Sequence, residues 1–566
     1  MIRVPYGLSN FEMIATQDYY FVDKTPFIEV LENEVTKYHF FLRPRKFGKS
    51  LWISILTYYY GIQYKAKFDT LFGKYKIGKN PTKDANKYLI LTFDCSGINT
   101  ETLKSTYNGF FAKIRTGIHV FLREYAVYFS KEEIKKIEAA DSPEDMMSEL
   151  LSVFIPKEES LYILIDEYDH FANELLAFDF QGFKNSVSKN GFVRKFYEVI
   201  KTGTRDGSVG YFFATGVSPI TLDSMTSGFN IARNTTLEVR FHDMLGFTEN
   251  DVLSILRGIE VPEKDIPALL EDVRRWYDGY IFNKKAENHL YNPNMTLYFA
   301  FKYAIAHEYP EDWIDINIAS DYNKIRKQFE LESANTKNWD MLRELLKKGY
   351  VTANITKQFS FDKTFGQEDL ISMLFYLGML TLAKGGLERD VFKIPNLVIK
   401  GLYFNYFADI LMRQADIHVD IADIKTDYEN MIFEDNPRYL LKWVELTLTG
   451  LSNRDNVGFD EKYVKSIFCA FLSLGRSYYL NSEREVSRKY TDILLLERPP
   501  YEVPQNYLFE LKYLPKSQAA QLATLVENTK TQTKNYLQTP EIQAIPKLSP
   551  WIIVIVGTEL KVLEKL

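Results

Sequence analysis

The stretch that most restricts what this chain can fold into is Tyr38–Ser54. It opens with the apolar run Tyr38-His39-Phe40-Phe41-Leu42, passes through the basic turn Arg43-Pro44-Arg45-Lys46-Phe47-Gly48-Lys49-Ser50, and enters a helix at Leu51-Trp52-Ile53-Ser54. A Gly-Lys-Ser triplet between a strand and a helix has the context of a phosphate-binding loop. Unpaired N–H groups at a helix start point at an anion, and the helix dipole favours negative charge there. Gly48 lets the backbone approach phosphates, Lys49 reaches β- and γ-phosphate oxygens, and the Ser50 hydroxyl suits Mg²⁺. Arg45, in the same turn, is grouped with them as a nucleotide-binding candidate. Arg43 stands where the usual pattern has its first glycine. The competing reading is a basic surface turn with a helix behind it.

A second segment favours the phosphate reading. Leu161-Tyr162-Ile163-Leu164-Ile165 is a short continuous apolar run, the mark of a buried strand, and it ends in Asp166-Glu167-Tyr168-Asp169-His170. A carboxylate at the C-terminal end of a central strand lies where ligands bind in an open α/β sheet. Asp166 is expected in the Mg²⁺ shell, and Glu167 is expected to orient or deprotonate the attacking water. Gly210-Tyr211-Phe212-Phe213-Ala214 reads as a third strand, leading into Thr215-Gly216-Val217-Ser218-Pro219. Thr215 is the first candidate for sensing the γ-phosphate and Ser218 the second, although both residue types also populate turns for local reasons. Arg233 is considered as an arginine finger, against the simpler reading of a solvated surface side chain.

The C-terminal end carries different chemistry. Tyr490–Leu496 reads as one strand and Tyr507–Tyr513 as its return. Side chains alternate along a strand, so Glu510 and Lys512 share a face, and Asp492 can meet them across the hairpin. Two carboxylates and a lysine make a hard-oxygen site for Mg²⁺, which takes a few carboxylates plus waters and phosphate oxygens. A metal there lowers the pKa of bound water and stabilises a phosphodiester transition state. Lys512 would position that water or help deprotonate it. Glu485, expected at a preceding helix end, is a third carboxylate candidate. Gln532 and Tyr536, four residues apart, would share one helix face. The alternative for the Glu-x-Lys pair is an ordinary solvated strand face.

Together these motifs resemble bacterial proteins with an AAA-ATPase-like domain followed by a PD-(D/E)xK nuclease-superfamily domain. Val4–Glu12 and Tyr19–Thr25 resemble the family's opening signature, and the Arg-Pro-Arg-Lys-Phe-Gly-Lys-Ser loop matches with Arg43 in place of glycine. Ile165–Ala172, Gly191–Tyr197 and Thr215–Asn230 are similar to family segments as well. The resemblance covers most of the chain and implies ATP, Mg²⁺ and DNA as ligands. One departure lies in the nuclease half. Family members often carry glycine two residues before the active-site Asp, and here that position is Tyr490, which bears on the local bend that aims Asp492.

A chain of 566 residues is too long for one hydrophobic core and should divide into several units. With 46% hydrophobic and 25% charged residues it has the composition of an ordinary globular protein. No apolar run is long enough to cross a bilayer, and no membrane partner is expected. Two distant cysteines, Cys95 and Cys469, suggest no disulfide framework or zinc site, so a reducing cytoplasm is the simple expectation. The net charge of −6 does not advertise nucleic-acid binding. DNA binding would therefore rest on a local groove rather than a basic domain. Seven lysines between Lys65 and Lys87 read as a solvated surface.

The expected fold is α/β: an N-terminal P-loop ATPase with a parallel sheet, a helical and winged-helix-like lid region, and a C-terminal restriction-endonuclease-like α/β domain. The expected boundaries are 1–245, 246–400 for the lid, 401–440 for a helical connector and 441–566. Thr248 is expected to cap the first lid helix. Leu370–Gly378, Met379–Leu382 and Val391–Pro395 suggest a helix and a small β-hairpin. The expected function is ATP-dependent DNA processing or defence with two active sites, with ATP and DNA as partners and a homo-oligomer admitted. The alternatives are a switch ATPase whose nuclease-like domain is a non-catalytic binding module, and a regulator with both sites degenerate.

Overall fold

The apolar runs of the N-terminal half assemble as a parallel sheet. In the computed structural model, which describes residues 2–155, 157–178, 191–219, 229–315, 336–359, 366–452, 459–486 and 489–566, β1 is Tyr38–Leu42, β2 Leu89–Asp94, β3 Leu161–Asp166, β4 Val209–Gly216 and β5 Arg233–Asn234. Their spatial order is β2-β3-β4-β1-β5, and all four pairings are parallel. Sheets covered on both faces need near-continuous apolar strands, which is what Leu161–Ile165 and Tyr211–Ala214 supply. β4 lies between β1 and β3, so the loop after β1 and the acidic end of β3 meet across an intervening strand.

Gly48 caps the helix Lys49–Tyr60 with φ of 91°, a left-handed value that glycine adopts without strain. That helix buries Trp52, Ile55, Leu56, Tyr59 and Tyr60. The N-terminal segment packs into the same core. Phe11 is fully buried, its N–H donates to Ser54 Oγ at 2.9 Å, and its ring lies 4.9 Å from that of Phe72. Arg43 explains the missing glycine. Its buried guanidinium donates to the carbonyls of Leu42, Thr236, Phe241 and His242 at 2.9–3.1 Å and sits over the rings of Phe41 and Phe282. The side chain therefore fastens the start of the loop to the segment after β5, a role glycine cannot fill. The seven lysines between Lys65 and Lys87 are all exposed.

Thr248 caps the helix Glu249–Gly258 as expected, its hydroxyl accepting from Asp251 N. Further along, the strands β6 (Tyr350–Ala353), β7 (Thr381–Ala383) and β8 (Asp390–Lys393) form an antiparallel sheet of order β6-β8-β7, with the helix Gln367–Tyr376 before the β7–β8 hairpin. Gly378, at φ of 79°, lies so close to Pro44 that an added Cβ would stand 2.8 Å from its Cβ. This region thus packs against the phosphate loop itself.

The chain divides into two compact units. The first is Met1–Ile305, Ile314–Trp339 and Tyr350–Asn396, and the second is Ala306–Trp313, Asp340–Gly349 and Leu397–Leu566. In the second, β9 (Tyr478–Val486), β10 (Lys489–Glu497), β11 (Asn506–Leu514), β12 (Leu548–Val556) and β13 (Glu559–Lys565) form a mixed sheet of order β13-β12-β11-β10-β9. β11 and β12 are parallel and are joined through the helix Leu522–Leu537, the crossover that a parallel pair requires. The helices from Leu397 to Ser452 cluster with this sheet: Tyr507 donates to Met431 O at 2.8 Å and Gln505 to Ile432 O at 2.7 Å.

Candidate functional site

In the first unit the loop after β1 and the end of β3 converge as the sequence predicts. Lys49 is buried, and its Nζ donates to Arg43 O at 3.1 Å and Pro44 O at 3.0 Å. Burial lowers its pKa, and Glu167 and Asp166 oppose that shift. The Ser50 hydroxyl is hydrogen-bonded to the Asp166 carboxylate. Burial raises the pKa of Asp166, with Ser50 and Lys49 pulling it down. Asp94, register partner of Asp166, stands beside it at the end of β2. Glu167 has φ of 50°, uncommon for a residue with a Cβ, and backbone strain of this kind clusters at functional sites. Its carboxylate lies 3.4 Å from His170 Nδ1, while His170 Nε2 lies 3.5 Å from Glu174.

A cavity of about 460 Å³ opens over this loop. Arg45, Gly48, Lys49, Ser50 and Glu167 line it, together with Tyr20–Val22 of the N-terminal segment, Leu245–Phe247 and Asn294. The volume lies within the range of small-ligand sites. A buried ammonium, a Ser–Asp pair for a hard cation and a roomy cavity beside them fit a nucleotide with its Mg²⁺.

Three candidates do not take the places foreseen for them. The Thr215 hydroxyl donates to Phe41 O at 2.8 Å and is buried, so it ties β4 to β1 instead of facing the cavity. Ser218 is buried too, with its hydroxyl between Asp169 Oδ2 at 3.1 Å and Asn173 Oδ1 at 2.7 Å. Arg233 pairs with Glu34 at 2.9 Å and Glu238 at 2.7 Å, which removes it as an arginine finger on this chain's own site. Sequence reasoning missed Asp169. Its buried carboxylate accepts from Val217 N, Ser218 N and Asn173 Nδ2, fixing the end of β4.

In the second unit Asp492, Glu510 and Lys512 meet. Lys512 Nζ is 3.2 Å from Asp492 Oδ2 and 3.1 Å from Glu510 Oε1, and Leu511 N donates to Asp492 Oδ2 at 3.0 Å. Burial, then the Asp492 charge, raise the pKa of Glu510 to about 7, against the pull of Lys512. Burial works against the Lys512 charge, but Asp492, Glu510 and Glu461 outweigh it and raise its pKa. Glu510 Oε2 is buried without a hydrogen-bond partner. An unpaired buried carboxylate oxygen is costly. A divalent cation would satisfy it, so the donor set fits Mg²⁺. Among the described residues no three His, Cys, Asp or Glu side chains form a metal cage, and Mg²⁺ usually keeps several waters and takes substrate phosphate oxygens beside one or two carboxylates.

Glu485 lies within β9, opposite Tyr490 of β10, and not at a helix end. Its side chain falls outside the described residues. The strand passes through Tyr490 in regular register, so Asp492 is aimed without a glycine bend. Gln532 and Tyr536 do share a face of the helix Leu522–Leu537 and are hydrogen-bonded to each other. Sequence reasoning missed Glu461 and Lys465. The helix Glu461–Leu472 starts at Asp460, whose side chain accepts from Tyr463 N. Glu461 lies 3.3 Å from Lys512, and Lys465 lies 3.5 Å from Asp492 Oδ1. The available signal was a capping Asp followed by a Glu and a Lys at i and i+4, which share one face.

Residues 5–226 match the family model described as predicted AAA-ATPase, and residues 459–565 match that of the PD-(D/E)XK nuclease superfamily. The chain thus joins an AAA-ATPase-like domain to a PD-(D/E)XK nuclease-superfamily domain. It is 27% identical over 306 residues to a protein of Azotobacter chroococcum mcd 1 described as "Uncharacterized protein in vnfD 5'region". That match takes in 51% of this chain and 50% of the relative, so the chain spans about half the length of the curated relative it matches. A similarity to the crystal structure of Cdc6p from Pyrobaculum aerophilum covers 67% of this chain and 90% of that one, at 11% identity. Its TM-score of 0.26 carries no argument. Among the described residues no helix is long and apolar enough to cross a membrane.

Proposed function

We propose that this chain hydrolyses ATP at the loop after β1 and cuts DNA phosphodiesters at the Asp492–Glu510–Lys512 site, in ATP-regulated DNA processing or defence. The observation that carries the nuclease half is the unpartnered, buried Oε2 of Glu510 beside Asp492 and Lys512. The ATPase half rests on Ser50 hydrogen-bonded to Asp166 with Lys49 beside them. In the ATP site, Lys49 neutralises β/γ-phosphate charge, Arg45 adds to it from the cavity wall, and Glu167 takes the proton of the attacking water. In the DNA site, Lys512, held between Asp492 and Glu510, would position the attacking water and the phosphate or help deprotonate that water. Ser50 and Asp166 would hold Mg²⁺ in one site and Asp492 and Glu510 in the other, where it would neutralise phosphoryl oxygens and make a bound water more acidic.

We assign 1–245 to nucleotide binding and 246–400 to a lid, most of which falls in the first unit, while Ala306–Trp313, Asp340–Gly349 and the residues from Leu397 onward fall in the second. The β6-β8-β7 sheet with its helix supports a winged-helix reading of the lid, and residues 401–440 act as a connector to the nuclease domain, 441–566. Cys95 and Cys469 are buried and are not joined in a disulfide, which suits the cytoplasm. The test is a Mg²⁺-dependent cleavage assay on single-stranded, duplex and branched DNA, with and without ATP, beside ATP turnover. Cleavage lost on chelation and in Asp492→Ala is the expected result. ATP turnover with no cleavage of any DNA would leave a switch ATPase with a binding module.

A further inference from the structure

Lys465 is a buried cation at the second unit's carboxylates to which the reading above gives no part. It stands one turn after Glu461 on the helix Glu461–Leu472, and its Nζ is 3.5 Å from Asp492 Oδ1. The other oxygen of the same carboxylate, Oδ2, faces Lys512 at 3.2 Å. Each oxygen of Asp492 therefore has its own ammonium. A site for two divalent ions holds them about 4 Å apart and commonly shares a carboxylate between them. A carboxylate with a buried ammonium on one oxygen is poorly suited to bridging.

Resting on the nuclease reading, we propose that Lys465 is a fixed cation that takes the part of a second divalent ion. The site then admits a single divalent ion, and the ammonium lends its charge to the scissile phosphate. The orphan Oε2 of Glu510 is open to a divalent ion, while Asp492 Oδ1 is already faced by positive charge. The reaction balances without a further reagent. The water oxygen bonds to phosphorus, the bond to the leaving sugar oxygen breaks, the proton shed by water passes to solvent, and the leaving oxygen takes one back.

The test counts Mn²⁺ bound by the full, nucleotide-free chain, with Asp492→Asn as the reference that removes this site, and measures cleavage in parallel. Wild type should hold one ion more than Asp492→Asn. Lys465→Met removes a nearby positive charge, so the site should bind Mn²⁺ roughly tenfold more tightly. The same variant should lose about 100-fold in cleavage, the usual cost of removing one fixed charge-stabilising donor. Lys465→Arg should keep most of the activity, and matching melting curves would exclude misfolding. Two ions lost in Asp492→Asn, or unchanged Mn²⁺ binding and cleavage in Lys465→Met, would overturn the inference even if the nuclease reading stood. A single ion, tightened in Lys465→Met, with no DNA cut by wild type would uphold the one-ion site and defeat the nuclease reading instead.

Discussion

Arg43 and Lys49 are buried cations of one loop, yet their losses should read differently. Arg43 donates to four carbonyls, so Arg43→Ala leaves buried acceptors unpaired and empties a large volume. A loss of about 3 kcal/mol or more is expected, visible as a lower melting temperature. Lys49→Ala removes the group that meets phosphates. Lys49→Ala also leaves the Arg43 and Pro44 carbonyls without a donor, so it should melt lower than wild type but by less than Arg43→Ala, bind ATP weakly and fail to hydrolyse it. Glu167→Gln keeps the shape but removes the base, so ATP should bind and persist; hydrolysis at the wild-type rate would remove Glu167 from its assigned role. Thr215→Val tests the corrected assignment. Losing the hydrogen bond to Phe41 should cost about 1 kcal/mol and leave ATP turnover intact, whereas abolished turnover in a folded variant would restore Thr215 as a sensor.

At the scale of elements, β1 and the turn Val239–Met244 each bury a histidine. Burial pushes His39 down to about 4, and burial together with the Arg43 guanidinium lowers His242. Both folded pKa values lie below the ordinary 6.5, so the unfolded chain takes up protons that the folded chain refuses. Their contribution to stability is complete above about pH 6.5 and is lost as pH falls toward about 4. Crossing that whole window is worth on the order of 3 kcal/mol for His39. Melting curves between pH 7 and pH 4.5 should show a steady fall, made shallower in a His39→Gln variant that still folds. A flat profile would mean that these imidazoles are not buried in neutral form. The end of β4 is similarly unforgiving, because a Cβ at Gly216 would stand 2.1 Å from Asp169 Oδ1.

For the whole molecule, the two motif sets lie in separate compact units, so their chemistry should separate. Asp492→Ala and Lys512→Ala should abolish cleavage and leave ATP turnover close to wild type. Loss of both activities in a folded variant would mean that the sites do not act independently. Nucleotide state is nonetheless expected to adjust the nuclease. A ligand shifts an equilibrium by its differential affinity for the two states, typically 1–3 kcal/mol, or roughly 5- to 150-fold in rate. Cleavage should differ between ATP-bound and nucleotide-free protein, and Lys49→Ala should erase the difference. Equal rates with ATP, with ADP and with neither would leave two enzymes merely joined in one chain.

The sequence by itself determined the elements that carry chemistry. Apolar runs ending in Asp166 and Thr215, a Gly-Lys-Ser turn between strand and helix, and the Asp492 and Glu-x-Lys hairpin are local patterns, set by side-chain period and backbone preference within a few residues. Those patterns marked Ser50, Asp166, Asp492, Glu510 and Lys512 as candidates, while the meeting of Ser50 with Asp166 waited on the packing of β1, β4 and β3. Tertiary structure decided what each polar group faces. Thr215 turned to Phe41, Arg233 to Glu34, and Arg43 to carbonyls almost 200 residues away. Glu461 and Lys465 reached the nuclease carboxylates from a helix that no strand pattern connects to them. A hydrogen-bond partner distant in the chain leaves no mark on the local period, so burial and pairing of such groups are settled only when the elements pack.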